Sequence, residues 1–381
     1  MTLRFSSLLV AASSVLTIVA CSAAPPSNGS TTNPGAGGTG SVGSGGSGNS
    51  INTTGDTTGV DPTDTRDVPI RQMVCDANNK CTCLRLALLG TLVSSADDTN
   101  TQPFVDWLNN NSEGSAVVTM VQVKPTLDKA FLDQYDILLV ANVNTWVFTA
   151  DEQAAVADWV KTTGGGIISL TGFTSEAAEP AATSQLIKFA GISYGTTTCA
   201  PNNSLQAQNS PVYYKGGSQD LKNCLNWNPA PTANKADITA PIHFTPQPGQ
   251  LEKLTANLDY VGAFYGWNVI GPSDSTVIGK DPVTGSPIAV AYEYMGKGRI
   301  FAWGDEWVIF KNQWVKTGTP GNMQMDSGNM CWVPATSTAA GFFHSVESLY
   351  QTKQFWYDAI NWVAPPTACH FKVIDDGVVV K

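Results

Sequence analysis

Two adjacent carboxylates follow an apolar run in the stretch FAWGDEWVIF, residues 301–310. Charge at Asp305 and Glu306 is costly there unless each side chain is exposed or paired. One of the two could act as a general acid or base, or accept hydrogen bonds from a sugar beside Trp303 or Trp307. Because successive side chains of an extended chain point to opposite sides, at most one of them should face a cleft.

The same two carboxylates also have a structural interpretation. One would accept backbone N–H bonds in the turn after the strand, and the other would pair at the surface with Arg299 or Lys311. The catalytic interpretation requires a second carboxylate about 5–10 Å away, as in a glycoside hydrolase. Asp97 or Asp98, in the loop after the first predicted strand, would supply it, unless they only solvate that loop and cap a helix.

Eight cysteines are present, and the seven besides Cys21 are an odd number, so at least one stays unpaired or pairs outside the chain. We expect disulfides rather than metal ligands. The predicted pair is Cys199 with Cys224, across a loop rich in Asn, Gln and Pro. No histidine lies near the other closely spaced group, so no metal site is expected there. The seven are Cys75, Cys81, Cys83, Cys199, Cys224, Cys331 and Cys369.

Apolar runs bounded by turn residues predict buried strands separated by helices. The clearest helix begins at a capping box formed by Thr149 and Glu152 and ends at the glycines 164–166. A closing amphipathic helix is predicted over Ser348–Val363, and strand patterns return over residues 240–300. Strands alternating with helices of this length indicate a parallel, doubly wound α/β sheet. The first three strands are predicted at Leu84–Gly90, Asp136–Asn142 and Ile167–Thr171.

Four segments occur in an order that resembles the class I glutamine amidotransferase-like superfamily: YDILLVAN, FTADEQAAVADWVKTTGGGIISLTGF, PIAVAYEYMGKGRIFAWGDEW and FWYDAINWV. The similarity covers roughly residues 84–195 and 240–363. It is greatest to divergent branches such as the trehalose-utilisation-like domains. The resemblance implies a flavodoxin-like, mostly parallel sheet with an irregular insertion at about residues 195–235, and it indicates a fold more than a function.

Two departures from that superfamily bear on catalysis. An active member would place a nucleophilic cysteine on a tight strand-to-helix turn and a histidine after a late strand. The corresponding turn here reads TGFT (171–174), and the late segment reads GDEW (304–307). Because neither holds the thiolate or the imidazole that amide hydrolysis needs, glutaminase activity is not expected. Thr171 is expected to end its strand rather than to act as a nucleophile.

In open α/β sheets, ligands bind beyond the carboxyl ends of the strands. Four segments should therefore meet there: 91–100, 142–146, 171–175 and 304–307. No phosphate-binding glycine loop follows a predicted strand, so no cofactor is expected. Besides the two carboxylates of the late segment, the candidate ligand contacts are Asp97, Asp98, Asn142, Thr171, Gly172, Phe173 and Trp307.

The N-terminus indicates an exported protein. Met1–Ala20 has one basic residue and a short apolar stretch, as in a secretory signal peptide. Its end, IVAC, resembles the bacterial lipobox, which implies diacylation of the Cys21 thiol with chains such as palmitate, and Ser22 favours the outer membrane. Residues 21–65 should be a flexible Gly/Ser/Thr tether with a reach of roughly 30–40 Å. The folded domain is predicted at residues 66–381.

The charge balance limits the class of partner. Acidic residues exceed basic ones by 31 to 21, and no basic cluster occurs, so nucleic acid is not an expected partner. The expected partners are the membrane, through the lipid, and a glycan or an envelope protein. Three hypotheses follow: a non-catalytic domain that binds a small polar ligand, glycan or partner at the strand-end cleft, a carbohydrate-active enzyme using Asp305 or Glu306, and a structural module of envelope assembly.

Overall fold

A computed structural model describes the folded part of the chain. The described residues are 61–77 except 62, 81–90, 101–172, 178–199, 240–310 and 351–380, without 259, 264, 265, 282, 283, 368, 369 and 376, together with four short strands between these ranges. Several predicted features lie outside the described residues, so they stay predictions. These are the signal peptide, the lipidation site Cys21, almost the whole tether, and the candidates Asp97, Asp98, Phe173 and Cys224.

The described elements are short. The strands are β1 (Val74–Cys75), β2 (Cys81–Thr82), β3 (Leu84–Leu89), β4 (Ala116–Val121), β5 (Ile137–Val140), β6 (Gly166–Leu170), β7 (Ser193–Cys199), β8 (Tyr213–Tyr214), β9 (Ala240–Phe244), β10 (Tyr260–Ala263), β11 (Gly266–Ile270), β12 (Thr276–Lys280), β13 (Pro287–Tyr294), β14 (Gly298–Trp303), β15 (Met323–Asp326), β16 (Cys331–Pro334), β17 (Gly341–His344), β18 (Ile374–Asp375) and β19 (Val378–Val379). The helices are α1 (Gln102–Asn111), α2 (Lys129–Leu132), α3 (Ala150–Thr163), α4 (Ala178–Ile187), α5 (Glu252–Thr255) and α6 (Thr352–Val363).

A nine-stranded mixed sheet lies at the centre, with the order β10-β9-β12-β13-β14-β6-β5-β3-β4. The five strands from β14 to β4 are parallel to one another. Numbered along the chain, these five have the order 2-1-3-4-5 of flavodoxin-like sheets. The other four strands extend the sheet in antiparallel fashion beyond β14. The predicted α/β, doubly wound class is therefore confirmed, and the sheet is mixed rather than purely parallel.

Helices cover both faces of the parallel part. The strand sequences LRLALL, ILLV and GIISL are almost completely buried, as expected for parallel strands enclosed on both sides. Side chains of α1 and α6 pack on one face, and those of α3 and α4 on the other. The sheet thus separates two apolar cores, and this three-layer arrangement leaves the ends of the strands as the places where polar groups can collect.

Local sequence signals located the helices well. The Thr149 side chain accepts a hydrogen bond from the Glu152 backbone, and the Glu152 side chain accepts one from the Thr149 backbone, which confirms the predicted capping box of α3. The same helix ends at Gly164, whose φ is 72°. The predicted closing helix is present as α6, although it begins at Thr352 rather than Ser348.

Residues 61–71, here called the N-terminal strap, run across the amino ends of the strands. Asp61 forms an ion pair with Lys253 in α5, and Asp67 forms one with Lys297 just before β14. At the far end of the strap, the Arg71 guanidinium lies 3.2 Å from the Asp136 carboxylate before β5. Among the described residues, contacts between the strap and the rest of the domain are therefore present from Asp61 onward.

The middle of the strap contributes a buried carboxylate. Asp64 lies 2.6 Å from Arg66 and 3.8 Å from Arg299, and its side chain is 5% exposed. Arg299 itself is buried, pairs with Glu293 at 3.0 Å and donates to the Trp362 carbonyl at 3.1 Å. Burial alone would raise the pKa of Asp64, but the hydrogen bond and charge of Arg66 and the charge of Arg299 lower it below the usual range.

Replacing Asp64 tests whether the strap is part of the fold. Asp64→Asn should lower the free energy of unfolding at pH 7 by about 2–3 kcal/mol, because two buried guanidinium groups lose a carboxylate. Since the pKa of Asp64 is lowered in the folded state, its contribution is present at neutral pH. It disappears as the pH falls below about 4, so the difference from wild type should shrink in acid. Denaturant unfolding at several pH values measures both effects.

The matched control is Asp67→Asn, because Asp67 has a fully exposed side chain in the same strap and is paired with Lys297. That exposed pair should contribute nothing measurable. An equal loss of stability in both variants would contradict a structural role for the buried pair.

Candidate functional site

The carboxyl ends of the five parallel strands form one edge of the sheet, as predicted. The Ala141 amide donates to the Leu89 carbonyl at 3.0 Å, and the Gly90 amide donates to the Val121 carbonyl at 3.2 Å, so the strand ends stay in register. The structure brings the predicted candidates Asn142, Thr171 and Gly172 to this edge. Trp307 also follows it, as the first residue of a short 3₁₀ turn.

The strand order reverses between β3 and β5, which makes this the switch point of the sheet. Gly90, directly after β3, has a φ of 135°, and a Cβ there would lie 1.7 Å from the Ala141 carbonyl oxygen. Only glycine fits so close an approach. Asn142, directly after β5, has a left-handed backbone with φ 41°. Non-glycine residues rarely adopt this conformation, and those that do are concentrated at functional sites.

Gly90, Ala141, Asn142, Thr171 and Gly172 are here called the switch-point crevice. Thr171 is fully buried, and its hydroxyl has no hydrogen-bond partner among the described residues. Asn142 is half-buried and brings an amide that can both donate and accept. All five residues are uncharged. The crevice therefore presents neutral hydrogen-bonding groups at the place where doubly wound sheets bind ligands.

The late segment after β14 is closed by another strand. The Trp267 amide in β11 donates to the Gly304 carbonyl at 2.6 Å, and the Gly304 amide donates to the Ile288 carbonyl at 2.8 Å. A Cβ on Gly266 would lie 3.0 Å from the Asp305 Cβ. Strand β11 is itself paired with β7, and the Tyr194 hydroxyl of β7 lies 2.9 Å from the Ser169 carbonyl oxygen. The pair β7–β11 is here called the roof.

The roof changes the interpretation of the two adjacent carboxylates. Asp305 is 1% exposed and Glu306 is 7% exposed, so the expectation that one would remain at the surface is wrong. The predicted pairing with Arg299 is also wrong, because Arg299 lies near the amino end of β14, at the opposite edge of the sheet, and pairs there with Glu293. Lys311 lies outside the described residues.

Cys199 ends β7 directly beside this buried segment. Its thiol is free and buried, so the structure contradicts the predicted disulfide with Cys224. The physical reason is the position of Cys199 opposite Gly266 in the roof, where its sulfur points inward and lies 3.9 Å from the Pro287 carbonyl oxygen. Residues 195–199, predicted as the start of the insertion, accordingly belong to a paired strand.

The surroundings of Cys199 disfavour its thiolate, chiefly because the side chain is buried. Burial raises the pKa of the Cys199 thiol to about 12, with further contributions from the charges of Asp281 and Asp305. Asp281 was not among the sequence candidates. It follows β12 and accepts hydrogen bonds from the Thr284 amide at 2.9 Å and from the Thr284 hydroxyl. In the sequence, the one feature that points to Asp281 is its position in the turn KDPVTG. That position predicts a carboxylate that caps the turn as readily as one in a functional site.

The remaining cysteine and histidine candidates do not assemble a catalytic or metal site in the described part of the chain. Cys75 and Cys81 form a disulfide with each other across the β1–β2 pair. Within the described ranges no group of three or more His, Cys, Asp or Glu side chains is arranged to hold a metal ion. His243 lies in the antiparallel extension of the sheet, where it pairs with Tyr260 and Lys280 rather than with the crevice.

Comparison with known proteins gives only distant likenesses. No protein-family model matches the chain, and no curated protein matches it. Among solved structures it is similar to the N-terminal domain of mmIFT52, with 11% identity, 59% of this chain and 88% of that chain covered, and a TM-score of 0.38. A cytoplasmic protein from Salmonella typhimurium LT2 shares 11% identity over 74% of this chain and 100% of its own, with a TM-score of 0.35.

The similar structures also include a putative ThuA-like protein from Parabacteroides merdae, with 13% identity, 58% of this chain and 78% of that chain covered, and a TM-score of 0.31. Alignments this weak carry no information about chemistry. Among the helices that the structure describes, none has both the length and the hydrophobicity needed to cross a bilayer.

The state of Cys199 can be measured directly. In the native, non-reduced protein at pH 8, iodoacetamide should leave Cys199 unmodified for hours, because only the thiolate reacts and burial beside two carboxylates suppresses it. In guanidinium chloride the same thiol should react fully. Peptide mass spectrometry gives both results. Rapid native alkylation of Cys199, or a disulfide-linked peptide containing it, would contradict the structure.

Proposed function

We propose that this protein is a lipid-anchored protein of the bacterial envelope whose α/β domain binds a small, neutral, hydroxyl-rich ligand at the switch-point crevice. In this proposal the domain is a non-catalytic relative of the class I glutamine amidotransferase-like superfamily, similar to its trehalose-utilisation-like branch. The observation that carries the binding site is the left-handed backbone of Asn142 beside the close approach of Gly90 to Ala141.

The left-handed backbone conformation of Asn142 carries a conformational cost that glycine would largely avoid. A left-handed L-residue costs roughly 1–2 kcal/mol, although Asn tolerates it better than most, and glycine would avoid most of that cost. An asparagine therefore makes better sense if its amide is used. At this position the side chain follows a strand end at the switch point, where a ligand's hydroxyl groups can reach it.

The chemistry of the crevice favours a neutral ligand. Its described side chains are the half-buried amide of Asn142 and the buried hydroxyl of Thr171, and its remaining groups are backbone amides and carbonyls. A phosphate or carboxylate ligand would need a cationic partner, and the five crevice residues provide none. Sugar hydroxyls, which both donate and accept hydrogen bonds, match this set.

The proposal that the domain is non-catalytic rests on residues at the same edge of the sheet. The turn after β6 begins with Thr171 and Gly172, where a cysteine nucleophile would be required, and the one cysteine near the edge, Cys199, is held as a thiol. The alternative of a carbohydrate-active enzyme using Asp305 or Glu306 is less well supported, because both side chains are buried beneath the roof. A purely structural envelope module has no specific contact in its favour.

The binding proposal is tested by replacing Asn142. Asn142→Gly keeps the backbone conformation and removes the amide, so it should raise the free energy of unfolding by up to about 1 kcal/mol. It should also abolish binding of neutral disaccharides. Maltose, cellobiose and trehalose are suitable probes in isothermal titration calorimetry.

Glu113→Gly is the matched control, because Glu113 is also left-handed, with φ 52°, in the turn before the amino end of β4. It should relieve the same kind of strain without any effect on binding. Equal binding by wild type and Asn142→Gly, or no binding of any disaccharide by wild type, would reject the crevice as a sugar site.

The anchoring proposal rests on the lipobox and is tested separately. In a bacterial host, Cys21→Ser should remove the lipid and move the protein from the membrane fraction to the soluble fraction, because the acyl chains supply the membrane affinity. Ser22→Ala keeps the thiol and should leave the protein in the membrane fraction. A Cys21→Ser protein that stays in the membrane fraction would contradict lipid anchoring.

A further inference from the structure

A second group of side chains lies away from the crevice, at the amino edge of the sheet. Tyr294 ends β13 opposite Gly298, the first residue of β14. The Tyr294 ring lies 5.1 Å from the Phe189 ring at 84° and 6.4 Å from the Tyr292 ring at 66°. Phe189, Tyr292 and Tyr294 are here called the aromatic corner.

The three rings are fixed but not covered. Each is half-buried and packs against the apolar core that also holds α3 and α4, so its orientation is set before any ligand arrives. Met295, which follows Tyr294 in the chain, is 58% exposed. Because the rings meet nearly edge to face, they form the walls of a corner rather than a flat layer.

The rim of the corner carries polar groups suited to hydroxyls. The Tyr292 hydroxyl lies 3.4 Å from the exposed carboxylate of Asp274. Burial and this carboxylate raise the pKa of Tyr292, so the phenol stays protonated and donates to Asp274. The carboxylate offers acceptors for further hydroxyl groups, and its negative charge disfavours anionic ligands.

We propose that the aromatic corner is a second binding site, for a neutral pyranose-containing glycan, independent of the switch-point crevice. The axial C–H groups of a pyranose carry partial positive charge and pack on the negatively polarised faces of aromatic rings. Its equatorial hydroxyls then reach the rim, where Tyr292 and Asp274 lie. The exposed Asp274 carboxylate can accept hydrogen bonds from those hydroxyls, whereas it would repel an anionic polymer.

The site is tested by titrating the full-length protein with chitotetraose and cellotetraose, using saturation-transfer NMR and calorimetry. Tyr294→Ala should weaken binding roughly tenfold or more, because Tyr294 contacts both other rings. Tyr292→Phe keeps the ring and the fold while removing the rim hydroxyl, and should weaken binding by a smaller factor.

Tyr135→Ala is the matched control, since Tyr135 is also half-buried and lies 5.1 Å from the Phe131 ring, but elsewhere on the surface. It should bind as wild type does. In Asn142→Gly, a calorimetric binding event that Tyr294→Ala removes should remain, which separates this site from the crevice. Four results would overturn the proposal: no binding of either tetrasaccharide, unchanged binding in both Tyr292 and Tyr294 variants, loss of binding only in Asn142→Gly, or a concentration-dependent dimer that Tyr294→Ala abolishes.

Discussion

One backbone hydrogen bond, from the Trp267 amide to the Gly304 carbonyl, decides which part of the sheet edge remains open. It joins the roof to the end of β14 at the position where a parallel sheet would otherwise expose its last carbonyl. Gly266 and Gly304 are both needed, because a side chain on either would collide with backbone across the contact. The roof covers the end of β14, and the described residues of the switch-point crevice lie at the ends of β3, β5 and β6.

The fold and its chemistry are linked through this closure. In a flavodoxin-like sheet the ligand region spans several strand ends, and an active amidotransferase-like domain would use both the turn after the fourth parallel strand and the segment after the fifth. Here the segment after the fifth parallel strand is buried at Asp305 and Glu306, and Cys199 and Asp281 are buried as well. Burial, with smaller contributions from the charges of Asp281 and Asp305, raises the pKa of that thiol to about 12. The five described residues of the switch-point crevice are uncharged, and they carry hydrogen-bonding groups.

The sequence predicted the parts of this structure that depend on local signals. Continuous apolar runs located β3, β5 and β6, the TADE motif located the start of α3, and the glycines after it located the end. It did not predict the roof, because β7 and β11 are far apart in sequence and neither strand carries a pattern that identifies the other as its pairing partner. The burial of Asp305 and the free thiol of Cys199 both follow from that pairing. The strap was missed for a similar reason, since its charged residues follow a Gly/Ser/Thr tract and their partners lie in distant elements.

The strap also determines where a force applied to the N-terminus would act on the domain. The chain arrives at Asp61 and is fixed across the amino ends of the strands by successive contacts as far as Arg71. A force applied from the N-terminal side would therefore act first on the ion pairs at that edge, one after another. It would reach the strands of the sheet only after those ion pairs had broken. The crevice lies at the opposite edge of the same strands, so its geometry should be insulated from that mechanical load.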